Sequence, residues 1–133
     1  MNILIINPNS DFNTNRIIQQ KAAEIINKKE NYNVEVVNVT KAPLLVSGYL
    51  DYHKSADDML KFIKNDKYDA FIIACHSDPN IDLIKEVSHK PVVGIGEASM
   101  KVASMLGNSF AIISPSKKSI SKKMALARKY HMQ

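Results

Sequence analysis

Residues 69–80 read DAFIIACHSDPN, and this stretch decides the fold. Ala70 to Ala74 form a short, continuous apolar run, the pattern of a strand covered on both faces. A polar turn follows, and then Ile81, Leu83, Ile84 and Val87 recur at helical spacing. Asp78 or Asn80 is placed to cap that short helix. A strand that runs straight into a helix is a βα unit, the building block of a parallel sheet. Cys75, the single cysteine of the chain, falls where the strand hands over to the turn.

The same alternation extends in both directions. Upstream, Ile3 to Ile6 reads as a strand, and Ile18, Ala22, Ile25 and Ile26 place a helix over about residues 12–28. Val34 to Val39 is a β-branched second strand. The stretch TKAPLLVSGYLDYHK has no clear period and reads as a long loop, after which Ser55 with Asp58 opens a helix through Met59, Leu60 and Ile63. Downstream, Pro91 to Ile95 is a fourth strand, and Glu97 to Leu106 a helix stopped by Gly107 in the C′ position. Phe110 to Ile113 reads as a fifth strand, and Ser114-Pro115 opens a last helix through Ile120, Met124 and Ala127. The order βαβαβαβαβα predicts an α/β fold, a parallel sheet flanked by helices with right-handed crossovers.

Composition narrows the function classes. At 133 residues, 45% hydrophobic and 23% charged, the chain is one compact domain able to bury a core without disulfides. A single cysteine excludes a disulfide framework and a Cys-rich zinc site, and it fits a reducing compartment. MNILIINPNS has no basic n-region, and no apolar run approaches the ~20 residues of a membrane span, so a cytoplasmic protein is expected. Charge is uneven: residues 1–97 carry 11 Lys and Arg against 13 Asp and Glu, whereas residues 98–133 carry seven cations and no acid. Such a tail suits an anionic substrate, an acidic partner or a solvated helix face. No interleaved aromatics or nucleic-acid motif accompany it, so nucleic acid is not the expected partner.

In an open parallel sheet, ligands bind beyond the carboxyl ends of the strands. Asn7-Pro8-Asn9-Ser10, Thr40 to Pro43, Cys75-His76-Ser77-Asp78 and Gly96-Glu97 all fall at such ends and converge on one rim. Two readings stand for each. Asn7, Asn9 and Ser10 either bind a ligand or only form a turn and cap the first helix. Cys75 is either a small packed residue or a thiol activated by a neighbouring helix N-terminus. His76 is expected to point to the face opposite Cys75 and so to stand behind the site or toward solvent. His53, His89 and His131 lack metal-ligand spacing, and no metal is expected. Gly94 and Gly96 give G-x-G, but Ser99 replaces the third glycine and the segment follows the fourth strand, which rules out a dinucleotide fingerprint.

INPNS after the first strand, T-x-x-P after the second, DAFIIACHSDPNID and PVVGIGEASMKVASMLGNSFAII together resemble the hydantoin and allantoin racemases of the Asp/Glu racemase superfamily. The match runs in order over nearly the whole chain. The resemblance implies cofactor-independent racemisation or epimerisation at a carbon beside a carbonyl, worked by two thiols on opposite faces of the substrate. It assigns Cys75 as one of these acid/bases and Asn7 as an orienting residue. It places Ser10, Pro43, His76, Ser77 and Glu97 around a hydantoin-type or amino-acid-type small molecule, with backbone N–H groups near His76 and Ser77 facing developing enolate charge.

The family is built from two similar α/β lobes, and this sequence matches the first lobe plus the start of the second. Residues 1–107 are expected to form the first lobe, and residues 108–133 an incomplete second one, FAIISPS echoing ILIINPNS. The second catalytic thiol is absent from the chain. A homo-oligomer joined through residues 108–133, or a complementing second-lobe polypeptide, would supply an acid. The alternative is a truncated, non-catalytic relative that binds a small anionic ligand or a protein partner.

Overall fold

The computed structural model describes residues 1–27 and 31–132. Strands β1 (Asn2–Asn7), β2 (Asn33–Asn38), β3 (Ala70–Ile73) and β4 (Val92–Gly94) alternate with helices α1 (Phe12–Ile26), α2 (Tyr49–Ile63), α3 (Ile81–Val87) and α4 (Ile95–Leu106). A 3-10 turn over Lys117–Ser119 then leads into α5 (Ile120–Lys129). All strand pairs are parallel, in the lateral order β2-β1-β3-β4, so the parallel α/β class read from the sequence holds. The order reverses between β1 and β3, which opens a crevice at the carboxyl ends of those two strands.

Strand alternation sends Leu4 and Ile6 of β1 and Phe71 and Ile73 of β3 to one face of the sheet. There they pack with Met59 and Ile63 of α2 and Ile81 and Ile84 of α3 in one buried cluster. Each such side chain contributes roughly 1.5–3 kcal/mol by leaving water. The opposite face is covered less completely, since Ile3, Ile5 and Ile72 are only half-buried. α1 packs on β2, and its only buried residue is Asn15. The continuous apolar runs therefore signalled a parallel sheet correctly but overstated the cover on its second face.

Several local expectations are corrected. The described part of α1 ends at Ile26, and position 28 lies outside the described residues. Its cap is Asp11, whose carboxylate accepts from the N–H groups of Asn13 and Thr14; Asn7, Asn9 and Ser10 precede it. α2 starts at Tyr49, six residues before the expected Ser55. The Asp51 carboxylate secures that start by accepting from the N–H groups of Ser47 and Gly48, each at 3.0 Å. Ser55 lies inside the helix, buried, with its hydroxyl donating to the Tyr52 carbonyl at 2.9 Å. Tyr49 and Leu50 are mostly exposed, so this first turn has no amphipathic signature to read.

At the other end, Gly107 closes α4 with φ −161°, which is extended backbone and not the expected left-handed C′. Phe110 to Ile113 does not form a fifth strand. The segment lies beside α4, lining a cleft with Met100 and Ala103, and does not join the outer edge of β4. Ser116, not Ser114, caps the turn into α5, its hydroxyl accepting from the Lys118 N–H. No described helix is long and apolar enough to cross a membrane.

Candidate active site

The β1–β3 crevice gathers the rim residues in two stitched pairs. On the β1 side, the Ser10 N–H donates to the Pro43 carbonyl at 3.2 Å, and the Val39 N–H to the carbonyls of Asn7 and Asn9. Asn7 itself is fully buried. Its Oδ1 accepts from the Asn9 N–H at 3.4 Å, while its Nδ2 has no hydrogen-bond partner. Buried polar atoms are nearly always paired, so this unpartnered donor at the end of β1 is an exception that calls for a role. On the β3 side, the Ala74 N–H donates to the Ile6 carbonyl at 2.8 Å, which brings the next residue, Cys75, to the same crevice, half-buried.

Asp78 organises the β3 side. It sits in the left-handed region at φ 44°, which an aspartate tolerates better than most residues. Its carboxylate does not cap α3, as the sequence suggested. It turns instead to the N-terminus of α4, accepting from the N–H groups of Gly96 at 2.8 Å and Glu97 at 2.7 Å, and from the Tyr130 hydroxyl at 2.8 Å. A carboxylate on these N–H groups is a strong, charge-assisted cap. Gly94 and Gly96 make room for it: a Cβ on either would lie within 2.8 Å of the Asp78 carboxyl group. That is the physical content of the G-x-G pattern here. Asn80, also left-handed at φ 60°, sends its amide to the Tyr52 carbonyl at 2.8 Å and so ties α3 to α2.

The thiol is surrounded by polar groups. The N–H and hydroxyl of Ser77 both hydrogen-bond toward Cys75, and Lys123 of α5 and Tyr52 of α2 stand nearby. Burial pushes the thiol up, outweighing the opposing effects of the Ser77 hydrogen bonds and the Lys123 charge. The expected acidification by a helix N-terminus is therefore corrected: α3 begins only at Ile81, and desolvation dominates. His76 makes no hydrogen bond to Cys75. Its ring lies between Lys123 Nζ, 2.9 Å from Nδ1, and the Ser99 hydroxyl, 3.2 Å from Nε2. Burial, with the Lys123 charge second, lowers its basicity. Glu97 is held by Lys85 and Lys101, which together keep its carboxyl below the usual range, so its side chain is engaged in ion pairs at the head of α4.

Three residues beside this loop were not read as site residues from the sequence: Tyr52, Lys123 and Tyr130. Tyr52 fell in what reads as a loop. Lys123 and Tyr130 were two members of a basic tail. Their separation of seven residues, about two helical turns, puts both on one face of α5, and that face meets Ser77 and Asp78. His53, His89 and His131 are exposed. Among the described residues, no group of three or more His, Cys, Asp and Glu is placed to hold a metal.

A parallel sheet with its single cysteine just past β3, next to the β1–β3 switch point, is an α/β lobe of the kind that binds ligands beyond its strand ends. The chain belongs to the Asp/Glu/Hydantoin racemase family, whose profile matches residues 3–133. It is 33% identical to the hydantoin racemase of Pseudomonas sp. (strain NS671) over 116 residues, which is 85% of this chain and 46% of that protein. Identity to the hydantoin racemase of Paenarthrobacter aurescens is 28% over 118 residues, covering 86% of this chain and 49% of the other. The allantoin racemase from Klebsiella pneumoniae superposes with a TM-score of 0.89 at 24% identity, over 99% of this chain and 54% of that one. The allantoin racemase from Pseudomonas fluorescens gives 0.77 at 20%, over 99% and 56%. These two likenesses bear on the fold. The chain spans about half the length of the curated relatives it matches.

Proposed function

We propose that this chain carries one half of a cofactor-independent racemase site, in which Cys75 is one of two acid/bases. The substrate class is a small ring or amino acid with an acidic C–H beside a carbonyl, as the names of the hydantoin and allantoin racemases suggest. The Cys75 thiolate takes the α-proton; the electron pair of the C–H bond moves into an enolate, and an acid on the opposite face returns a proton to carbon. Asn7 Nδ2 donates to a substrate oxygen, and N–H groups at His76 and Ser77 face the developing charge. The observation that carries this reading is the position of the single cysteine just past the end of β3, next to the β1–β3 switch point, where the Asn7 amide at the end of β1 is buried and unpartnered.

The 133 residues hold no second cysteine, so we propose that the opposing acid comes from a second copy or from a complementing second lobe. We place its source in a second copy docked through residues 108–132, where Phe110 and Met124 are partly exposed and Ile113 is 96% exposed. A single sedimenting monomer at high concentration would count against that arrangement. The activity is tested by NMR in deuterated water with 5-substituted hydantoins, allantoin and free amino acids. Exchange of the α-proton that disappears in Cys75→Ala is the expected result. Absence of exchange across the panel, from a folded protein, removes the racemase reading and leaves a binding protein.

A further inference from the structure

Lys123 approaches the Cys75 loop from α5, with its Nζ 2.9 Å from His76 Nδ1 and 3.1 Å from Ser77 Oγ. An ammonium donates and never accepts, so His76 Nδ1 must be the unprotonated ring nitrogen and Nε2 must carry the hydrogen. That Nε2–H then faces the Ser99 hydroxyl, which passes its own hydrogen to the Gly96 carbonyl at 3.0 Å. The chain of donors runs one way, from α5 through the imidazole to the first turn of α4.

The same donor constrains Ser77. A serine hydroxyl has two lone pairs and one hydrogen. Lys123 occupies one lone pair. With the ammonium on one side of the oxygen, the single Ser77 hydrogen is directed away from α5.

We propose that Lys123 is a positioning residue for Cys75, fixing His76 as the Nε2–H tautomer and holding the Ser77 hydroxyl, the two residues that directly follow the cysteine. The proposal rests on the reading of Cys75 as the working thiol and adds the group that prepares it. The charged and titratable groups near this sulfur are Lys123 from α5, Tyr52 from α2 and Asp78 from its own loop, with the His76 ring turned to Lys123 and Ser99. Lys123 is the one whose positive charge favours the thiolate, and Asp78 opposes it. Burial also makes the Lys123 amine itself less basic, so its charge is held in a partly desolvated place where it acts strongly on its neighbours.

The test needs no substrate. Cys75 is the only cysteine, so the pH profile of iodoacetamide alkylation of the full chain reports on it alone. Lys123→Met should move the midpoint upward by about one pH unit, a roughly tenfold slower reaction at neutral pH, and Lys123→Arg should restore most of it. In a Ser77→Ala background, Lys123→Met should have a smaller effect than in wild type. The tautomer is read in the wild-type chain by long-range proton–nitrogen spectra, with His76 assigned from His76→Gln. A protonated Nδ1 overturns the proposal, as does a Lys123→Met profile that superposes on wild type in protein of unchanged thermal stability. A shifted profile without α-proton exchange in the wild type would keep the role of Lys123 and remove only the racemase reading.

Discussion

The hydroxyl of Tyr130 donates to Asp78 Oδ2 at 2.8 Å, across 52 residues of sequence, and so fastens the last helix to the loop that carries the cysteine. Burial and the adjacent carboxylate both push the Tyr130 phenol well above its ordinary range, which keeps it a donor under all physiological conditions. Tyr130→Phe should lower stability by about 1–2 kcal/mol, as one hydrogen bond to a charged group is lost. Asp78→Ala should cost more, roughly 3 kcal/mol, because two α4 N–H groups and one hydroxyl lose their acceptor together. Urea unfolding of the two single variants and the double variant measures both, and the double should fall short of the sum.

Gly94 and Gly96 should be intolerant of even a methyl group. A Cβ at position 94 would lie 2.4 Å from the Asp78 carboxyl carbon, and one at position 96 would lie 2.5 Å from the His76 carbonyl oxygen. Gly94→Ala and Gly96→Ala should each destabilise by about 2–3 kcal/mol through overpacking. Gly107→Ala is the control, since its nearest neighbour is the Ser109 carbonyl at 3.5 Å and its backbone is extended. Its thermal midpoint should stay close to that of the wild type.

The sequence made the sheet legible and the site only half so. Apolar runs at Ile3–Ile6 and Ala70–Ala74 marked strands because a buried parallel strand can hold little else, and the crevice followed from chain order. What failed were features whose partner lies far along the chain. The sequence offers Asp78 or Asn80 as the cap of α3; Asn80 takes the N-cap position, without a side-chain bond, and nothing near Asp78 reveals that Gly96 and Glu97 are its partners. Phe110 to Ile113 has strand composition, but composition alone does not decide pairing, and the segment lies against α4 while the outer edge of β4 stays unpaired. Lys123 was invisible as a site residue because a helix cation normally faces water.

Asn80 offers a separable test of backbone and side chain. Its φ of 60° is strained for most residues, and its amide bridges to the Tyr52 carbonyl. Asn80→Gly should relieve the backbone while losing the bond, for a net cost of about 1 kcal/mol. Asn80→Ala should lose the bond and add the left-handed penalty, for about 2–3 kcal/mol. Equal chemical-denaturation midpoints for the two variants would refute the backbone part of this account.

Stability should fall with mild acid because of His76. Its basicity in the folded state lies below the ordinary value of 6.5, so as pH drops below 6.5 the unfolded chain takes up a proton that the folded chain declines. The folded state therefore loses ground from 6.5 downward, until the folded imidazole also protonates. Above 6.5 the residue is neutral in both states and contributes no slope. His76→Gln should flatten the curve of urea midpoint against pH in that window while leaving the carboxylate-driven loss at lower pH in place.

The close fit of two glycines around one carboxylate also sets an order on how this sequence can drift. A side chain at position 94 or 96 has no room until Asp78 is shortened, and shortening Asp78 first strands the head of α4 and the Tyr130 hydroxyl. Either first step passes through a weakened protein. The three positions are therefore expected to vary together among working descendants of this chain, and a lineage that has lost the aspartate is where a larger residue at 94 should be sought.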